Sequence, residues 1–333
     1  MSLRSLSIES DLLRGNPLGD PHARELPVYL PPGYESEPGR SYPVVCFLAG
    51  YTGTGPMLLN HRGGWGESTP QRLDRLIRAG EVPPLIGIFP DCWTRWGGSQ
   101  YVDSTATGPY MSHIVDELLP AVDGAFRTIP EASGRAVTGI SSGGYGALML
   151  ALERPGTFGL ILSTAGDCAF DLCYRPDLAR AAMTLEQAGG VEPFLEAFFE
   201  AKTLGGAQIG AMMVLAMATC YSPNLDRPPV LADLPMDLRT AELIPDVWAR
   251  WLAFDPVNLV EERADALAGL DLLALDAGLS DEHALQFGAR ILSDRLTRIG
   301  ISHTLEEFPG GHRGLGYRQE QALARIGEVI ATG

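Results

Sequence analysis

Basic residues are scarce in this chain: 25 Lys plus Arg stand against 41 Asp plus Glu, for a formal net charge of −16. A surface of that sign repels phosphate backbones and anionic lipid, so nucleic acid and acidic membranes are poor partners. A neutral, partly apolar small molecule suits it better. Long apolar runs are also missing. The longest, Ala211–Cys220, falls far short of the ~20 residues a membrane span needs. The opening Met1-Ser2-Leu3-Arg4-Ser5-Leu6 lacks the apolar stretch of a signal peptide. The five cysteines, at 46, 92, 168, 173 and 220, are odd in number and form no C-x-x-C pair or metal-type cluster. Neither a disulfide framework nor a metal site is therefore expected, and Cys46, inside an apolar run, reads as a small buried hydrophobe. The expectation is a soluble, cytoplasmic protein with reduced thiols and self-association left open. Internal repeats and low-complexity tracts are absent.

What is present is an ordinary globular composition, 45% apolar and 20% charged over 333 residues, enough for one large α/β domain with an insertion or for two ordinary domains. Up to residue 40, Leu6 and Ile8 and then Leu26, Val28 and Leu30 alternate with polar neighbours, the period of strands. The turn-forming segment Gly15–Asp20 between them predicts an antiparallel pair at a sheet edge. From Pro43 onward the runs change character. Val44–Leu48, Leu85–Phe89, Ala136–Thr138, Leu160–Leu162 and Leu272–Leu275 are short and almost wholly apolar, as strands of a parallel sheet covered on both faces should be. Helical patterns over about Ser68–Ala79, Pro109–Phe126, Ser142–Glu153 and Asp281–Ile299 separate them. Strand alternating with helix predicts a doubly wound α/β sheet. A last alternating strand near Ser302–Phe308, at an edge, and a helix over Tyr317–Ile330 complete the pattern.

One stretch breaks this rhythm. About a hundred residues between the runs ending near Ala165 and starting near Leu270 carry helical patterns and prolines at 223, 228, 229, 235 and 245 among others, but no convincing strand. Connections of that length inside a compact domain are usually functional. The reading is a core of residues 1–166 and 254–333, with 167–253 inserted as a helical lid.

Gly139-Ile140-Ser141-Ser142-Gly143 is the single G-x-S-x-G of the chain, preceded by a strand pattern and followed by a helical one. A serine on such a strand-to-helix turn is exposed as a nucleophile, and the helix N-terminus directs amides at a developing oxyanion. A serine hydroxyl needs an adjacent base. Of six histidines, His22 falls in the early strand pair, His61 in a loop, His113 and His283 on helices and His303 on the last strand, whereas His312 occupies the loop after that strand in Pro309-Gly310-Gly311-His312. The order serine, acid, histidine of the α/β-hydrolase fold selects His312. The acid belongs after the penultimate strand, where Asp281 is preferred over Asp276 as the group that orients the imidazole; the competing role for Asp281 is to cap the following helix. The oxyanion amides are assigned to Ser142 and, from the glycine-rich loop after Leu48, to Tyr51, with Gly50 as the alternative.

Gly139–Leu148, Phe89-Pro90-Asp91, Gly97-Gly98-Ser99-Gln100-Tyr101, Val115–Pro120 and Leu30-Pro31-Pro32-Gly33-Tyr34 together resemble the putative-esterase family of α/β-hydrolases, which holds feruloyl esterases, enterochelin esterases, S-formylglutathione hydrolases and mycolyl transferases. The resemblance covers most of the chain except the lid. It implies an α/β-hydrolase fold and aligns Ser141, Asp281 and His312 with the family triad. Gly53 stands where S-formylglutathione hydrolases carry a cysteine, and His312 is followed by Arg313-Gly314 rather than Ser-Tyr, which disfavours a glutathione thioester. The expected activity is hydrolysis of carboxylic esters through an acyl-enzyme, without metal or cofactor. Cleavage of amides by the same triad, or a catalytically silent binding protein, are the alternatives.

Two further patterns have plainer readings. His113, Asp116 and Glu117 at helical spacing are expected on a solvated helix face rather than around a metal. Met212, Met213, Met217, Phe194, Phe198 and Phe199 read as ordinary packing or as a pliable apolar wall for a ligand.

Overall fold

The computed structural model describes residues 1–60 and 65–332. Eight strands make the main sheet: β1 (Ser2–Glu9), β2 (Ala23–Leu30), β3 (Val44–Leu48), β4 (Ile86–Ile88), β5 (Arg135–Ile140), β6 (Leu160–Thr164), β7 (Leu272–Gly278) and β8 (Thr304–Phe308), in the spatial order β1-β2-β4-β3-β5-β6-β7-β8. The first two strands pair antiparallel, as does β2 with β4, and every pairing from β4 across to β8 is parallel. The expected antiparallel edge and the expected edge position of the last strand are both present.

The near-continuous apolar runs follow from burial on both faces. In β3, Val45 and Phe47 pack on one side with Leu73, Leu76 and Ile77 of α1 (Thr69–Ala79) and with Leu323 and Ile326 of the last helix. Val44, Cys46 and Leu48 face the opposite side with α2 (Ser142–Glu153). Helix α1 has clear local signals. Ser68 and Gln71 form a capping box, Pro70 sits in the first turn and Gly80 ends the helix at φ 74°, a left-handed conformation that suits glycine. All five cysteines are buried and unpaired.

Between β6 and β7 come α3 (Arg175–Gln187), α4 (Val191–Glu200), α5 (Gly206–Tyr221) and α6 (Pro245–Leu252), and α3 packs against α5. Among the described residues the stretch contains isolated bridges but no strand. Its two ends are clasped together. Asp255, 1% exposed, accepts the amides of Ala169 and Phe170 at 2.9 and 2.7 Å and that of Val257 at 3.2 Å. Burial raises its carboxyl to about 6 in spite of those three donors. Helices α7 (Leu285–Arg298) and α8 (Arg318–Thr332) complete the fold.

Two expected helices differ. The one expected over Pro109–Phe126 is divided into Tyr110–Ser112, a π-helical turn at His113–Leu118, and Leu119–Ala125. Pro120 has no N–H to donate and its ring crowds the preceding turn, so a regular ladder cannot run through. The helix expected from Asp281 begins at Leu285, after Ala284 in the left-handed region at φ 62°, because Asp281 is engaged elsewhere.

Arg318, almost wholly buried, ties α8 to the sheet: its guanidinium reaches Asp276 at 2.7–2.8 Å and Glu306 at 2.8 Å. Removing one member of a buried ion pair strands the other. Arg318→Ala should therefore lower stability by about 3–5 kcal/mol, seen as an earlier urea midpoint; an unchanged midpoint would show that the pair contributes nothing net.

Candidate active site

The loops at the carboxyl ends of β3, β5, β6 and β7 converge on one cleft, the end at which open α/β sheets place their ligands. At Ser141 the chain leaves β5 and enters α2 with φ 60° and ψ −127°, a conformation that costs a non-glycine residue on the order of 1–3 kcal/mol. Its neighbours make the turn feasible. A Cβ at Gly139 would lie 2.4 Å from the carbonyl carbon of Gly143, and one at Gly143 would lie 2.3 Å from the Leu48 carbonyl oxygen. The two glycines of the motif are thus required by close packing of β5, α2 and the end of β3.

The cleft has a volume of about 310 Å³ including its mouth. Ser141, Ser142, Tyr51, Asp167, Tyr174 and His283 line its polar side, and Met213, Met217, Leu285 and Cys173 its apolar side. Among the described residues neither the Ser142 nor the Tyr51 amide donates a hydrogen bond, so both are available at the cleft; Gly50, the alternative to Tyr51, does not line it. The loop that carries Tyr51 is held from outside. Gly98 donates to the Tyr51 carbonyl at 2.9 Å, the Tyr51 hydroxyl donates to the Trp96 carbonyl at 2.8 Å, and Tyr101 donates to the Ala49 carbonyl at 2.6 Å. Gly97, at φ 121°, lies so close that a Cβ there would fall 2.4 Å from the Tyr51 ring. The string Gly97–Tyr101 is therefore a template for the loop at Tyr51.

Asp281 and His312 meet as the sequence order requires. His312 Nδ1 is 2.8 Å from Asp281 Oδ2, while Asp281 Oδ1 accepts the His283 amide at 2.9 Å. Glu282 accepts the His312 backbone amide at 2.5 Å. Gly278 lets the two loops stack, since a Cβ there would stand 2.6 Å from the Gly310 carbonyl oxygen. Burial pulls the His312 pKa down, but the Asp281 hydrogen bond and charge, aided by Asp167 and Glu282, raise it above its ordinary value. Burial likewise works to raise the Asp281 carboxyl, and His312 more than offsets it, so the net shift is downward. Asp276, the second choice for this position, is held by Arg318. Ser141 Oγ itself makes no hydrogen bond among the described residues.

His283 also stands here, its ring edge-on to that of His312 with centroids 4.8 Å apart. Among the described residues its ring makes no hydrogen bond or ion pair to a carboxylate, although it stands near enough to Asp281 and Asp167 to interact with both electrostatically. His22, His113 and His303 bond to residues remote from the cleft, and His61 lies outside the described residues. The solvated face expected around His113 is absent. His113 is fully buried beside Glu117, at 2.6 Å, and Glu117 also accepts from Ser10 and the Leu12 amide. This network fastens the N-terminal segment to the core, which is why His113 and Glu117 turn inward, whereas Asp116 stays exposed and pairs with Arg154. Among the described residues no group of His, Cys, Asp or Glu is arranged to hold a metal.

Of the Met and Phe residues named from sequence, Met213 and Met217 line the cleft, Met212 and Phe194 are buried in the core, and Phe199 is exposed against Trp96. The sequence reading passed over Asp167 and Tyr174 and set His283 aside for His312. Asp167 carried a usable signal, since it lies just beyond the carboxyl end of β6, where this class of sheet presents ligand contacts.

Comparison with known proteins gives a consistent result. The chain is 28% identical over 301 residues to "Esterase Rv1288" of Mycobacterium tuberculosis, an alignment covering 86% of this chain and 51% of that protein. It thus spans about half the length of the curated relative it matches. Over 144 residues it is 30% identical to an endo-1,4-beta-xylanase/feruloyl esterase of Xylanibacter ruminicola, covering 40% of this chain and 18% of that one. Among solved structures, a ferulic acid esterase superposes with a TM-score of 0.63 at 17% identity, covering 98% of both chains. An S-formylglutathione hydrolase from Agrobacterium tumefaciens gives 0.59 at 17% identity, covering 98% and 95%. These superpositions establish the α/β-hydrolase fold. The family model described as "Putative esterase" matches residues 21–321, and the chain belongs to that family.

Proposed function

We propose that this chain hydrolyses carboxylic esters through a covalent acyl-enzyme, with Ser141 as nucleophile, His312 as general base and acid, and Asp281 as the group that orients His312. The observation that carries this reading is the 2.8 Å contact between Asp281 and His312 Nδ1 beside a cleft that holds a strained Ser141. With its proton on Nδ1 and donated to Asp281, the imidazole keeps Nε2 free as a base. Nε2 takes the Ser141 proton as the oxygen attacks the ester carbonyl. The amides of Ser142 and Tyr51 hold the tetrahedral oxyanion. His312 then protonates the leaving alcohol and deprotonates the water that releases the acid. The hydroxyl–imidazole bond forms as the ester enters, since such bonds are commonly long beforehand and tighten in the Michaelis complex.

Residues 167–253 act in this scheme as the lid. Met213 and Met217 of α5 form an apolar wall for the acyl or alcohol group, and the Asp255 clasp fixes the base from which the helices extend. The substrate is small and partly apolar, consistent with a net charge of −16 that disfavours polyanions.

A panel of chromogenic esters of rising chain length, with feruloyl and amide analogues, tests the reading. Short-to-medium esters should turn over, and Ser141→Ala should lower kcat/KM more than a thousandfold. Faster cleavage of the amides would instead favour a peptidase, and silence across the panel a binding protein. The pH profile supplies an independent check. His312 must be neutral to act, and its pKa is raised, so kcat/KM should rise with pH through a midpoint above 6.5, the ordinary histidine value. Asp281→Asn removes the largest upward influence and leaves burial opposed only by Asp167 and Glu282, so the midpoint should fall while kcat/KM drops about 10³–10⁴-fold. A midpoint indifferent to residue 281 would remove Asp281 from the scheme.

A further inference from the structure

Asp167 lies outside the proposed triad, yet it is the one carboxylate lining the cleft. It is 4% exposed, at the carboxyl end of β6 and beside the nucleophile turn. One of its oxygens is fully engaged. Asp167 Oδ2 accepts from Ser142 Oγ at 3.1 Å and from the Tyr174 hydroxyl at 2.8 Å, and Gln100 Nε2 donates in turn to Tyr174 at 3.4 Å. Three buried side chains from three different segments thus fix the plane of this carboxyl. The other oxygen, Oδ1, accepts no hydrogen bond from any described residue and is not among the atoms sealed inside the protein. That oxygen is held in a fixed direction and faces the cleft, where a donor on a bound ligand can replace solvent.

Resting on the esterase reading, we propose that Asp167 Oδ1 selects esters that carry a hydrogen-bond donor, a hydroxyl or an ammonium, close to the scissile carbonyl. The location sets the reach. Asp167 bonds to Ser142, whose amide is one of the two directed at the carbonyl oxygen, so the donor sits a few bonds from the reacting carbon. Met213 and Met217, which line the same cleft, take the apolar remainder of the substrate. Burial pushes the Asp167 carboxyl above its ordinary value, and the hydrogen bonds from Tyr174 and Ser142 and the nearby rings of His312 and His283 offset only part of that. Neither ring makes a hydrogen bond to it, so the acceptor stays open for substrate. A carboxylate on the ester would be repelled at the same position.

The test compares matched esters: p-nitrophenyl butyrate with its 3-hydroxy and 3-ammonio analogues on the acyl side, and propyl butyrate with 2-hydroxyethyl and 2-(dimethylammonio)ethyl butyrate on the alcohol side. In the unaltered protein at least one donor-bearing ester should exceed its plain counterpart about tenfold in kcat/KM, the acyl and alcohol arms showing which side reaches Asp167 and the hydroxy and ammonio arms which donor it prefers. Asp167→Asn keeps an oxygen for Ser142 and Tyr174 but turns an N–H toward the cleft, so that ratio should fall about tenfold, whatever happens to the plain ester. Equal rates for plain and donor-bearing esters in the unaltered protein would overturn the proposal without recourse to any variant, as would a ratio that survives Asp167→Asn. If no ester of either kind is hydrolysed, it is the esterase reading beneath the proposal that has failed.

Discussion

The 2.8 Å bond between His312 and Asp281 joins two loops that leave different strands, and the edge-on ring of His283 links it to the residues that line the cleft. The bond holds only because β7 and β8 run parallel side by side, with Gly278 next to Phe308 in register. Their following loops then stack without a side chain between them. Arg318 contributes at a distance. By engaging Asp276 and Glu306 on the same two strands it fixes their pairing and keeps the other nearby carboxylate away from the imidazole. The opposing influences on His312, burial against neighbouring carboxylates, leave it easier to protonate than a free histidine, which suits the proton transfer proposed for it.

A second constraint is steric. The nucleophile turn, the loop at Tyr51 and the segment Gly97–Tyr101 approach one another so closely that glycine is needed at 97, 139 and 143. The strain at Ser141 persists because these three segments leave it no alternative conformation. The same crowding brings Ser142 and Tyr51 to one wall of the cleft, and Tyr101, packed on Gly146 and bonded to the Ala49 carbonyl, couples them. The segment between β6 and β7 shares the apolar core, Phe170 and Tyr221 packing on Tyr145 of α2. A buried carboxylate is added to this at its base: Asp255 gathers the amides of Ala169 and Phe170 and that of Val257.

Much of this was legible in the amino-acid order because the signals are local. Ser141 lies between a strand and a helix, with glycines two residues to either side, and His312 follows the last strand in a glycine-rich turn. The parallel core was readable from apolar runs that burial on two faces requires. Choosing between Asp276 and Asp281 needed the fold, since either stands near the end of β7 and only Arg318, some forty residues away, separates their roles. Asp167 and Tyr174 were not seen, and His283 was set aside for His312, because their place at the cleft comes from contacts across the sheet and from the inserted segment, which leave no periodicity in the chain. The reading of His113 failed for a related reason: helical spacing shows which side chains share a face, but not that the N-terminal segment, through Ser10 and Leu12, covers that face.

Reaction with a fluorophosphonate, followed by mass analysis of the intact chain and its peptides, tests the central claim most directly, since such reagents require an activated serine rather than any particular substrate. The account predicts one adduct per chain, carried on Ser141 and abolished in His312→Ala. An unmodified chain, or an adduct on another serine that persists without His312, would contradict it.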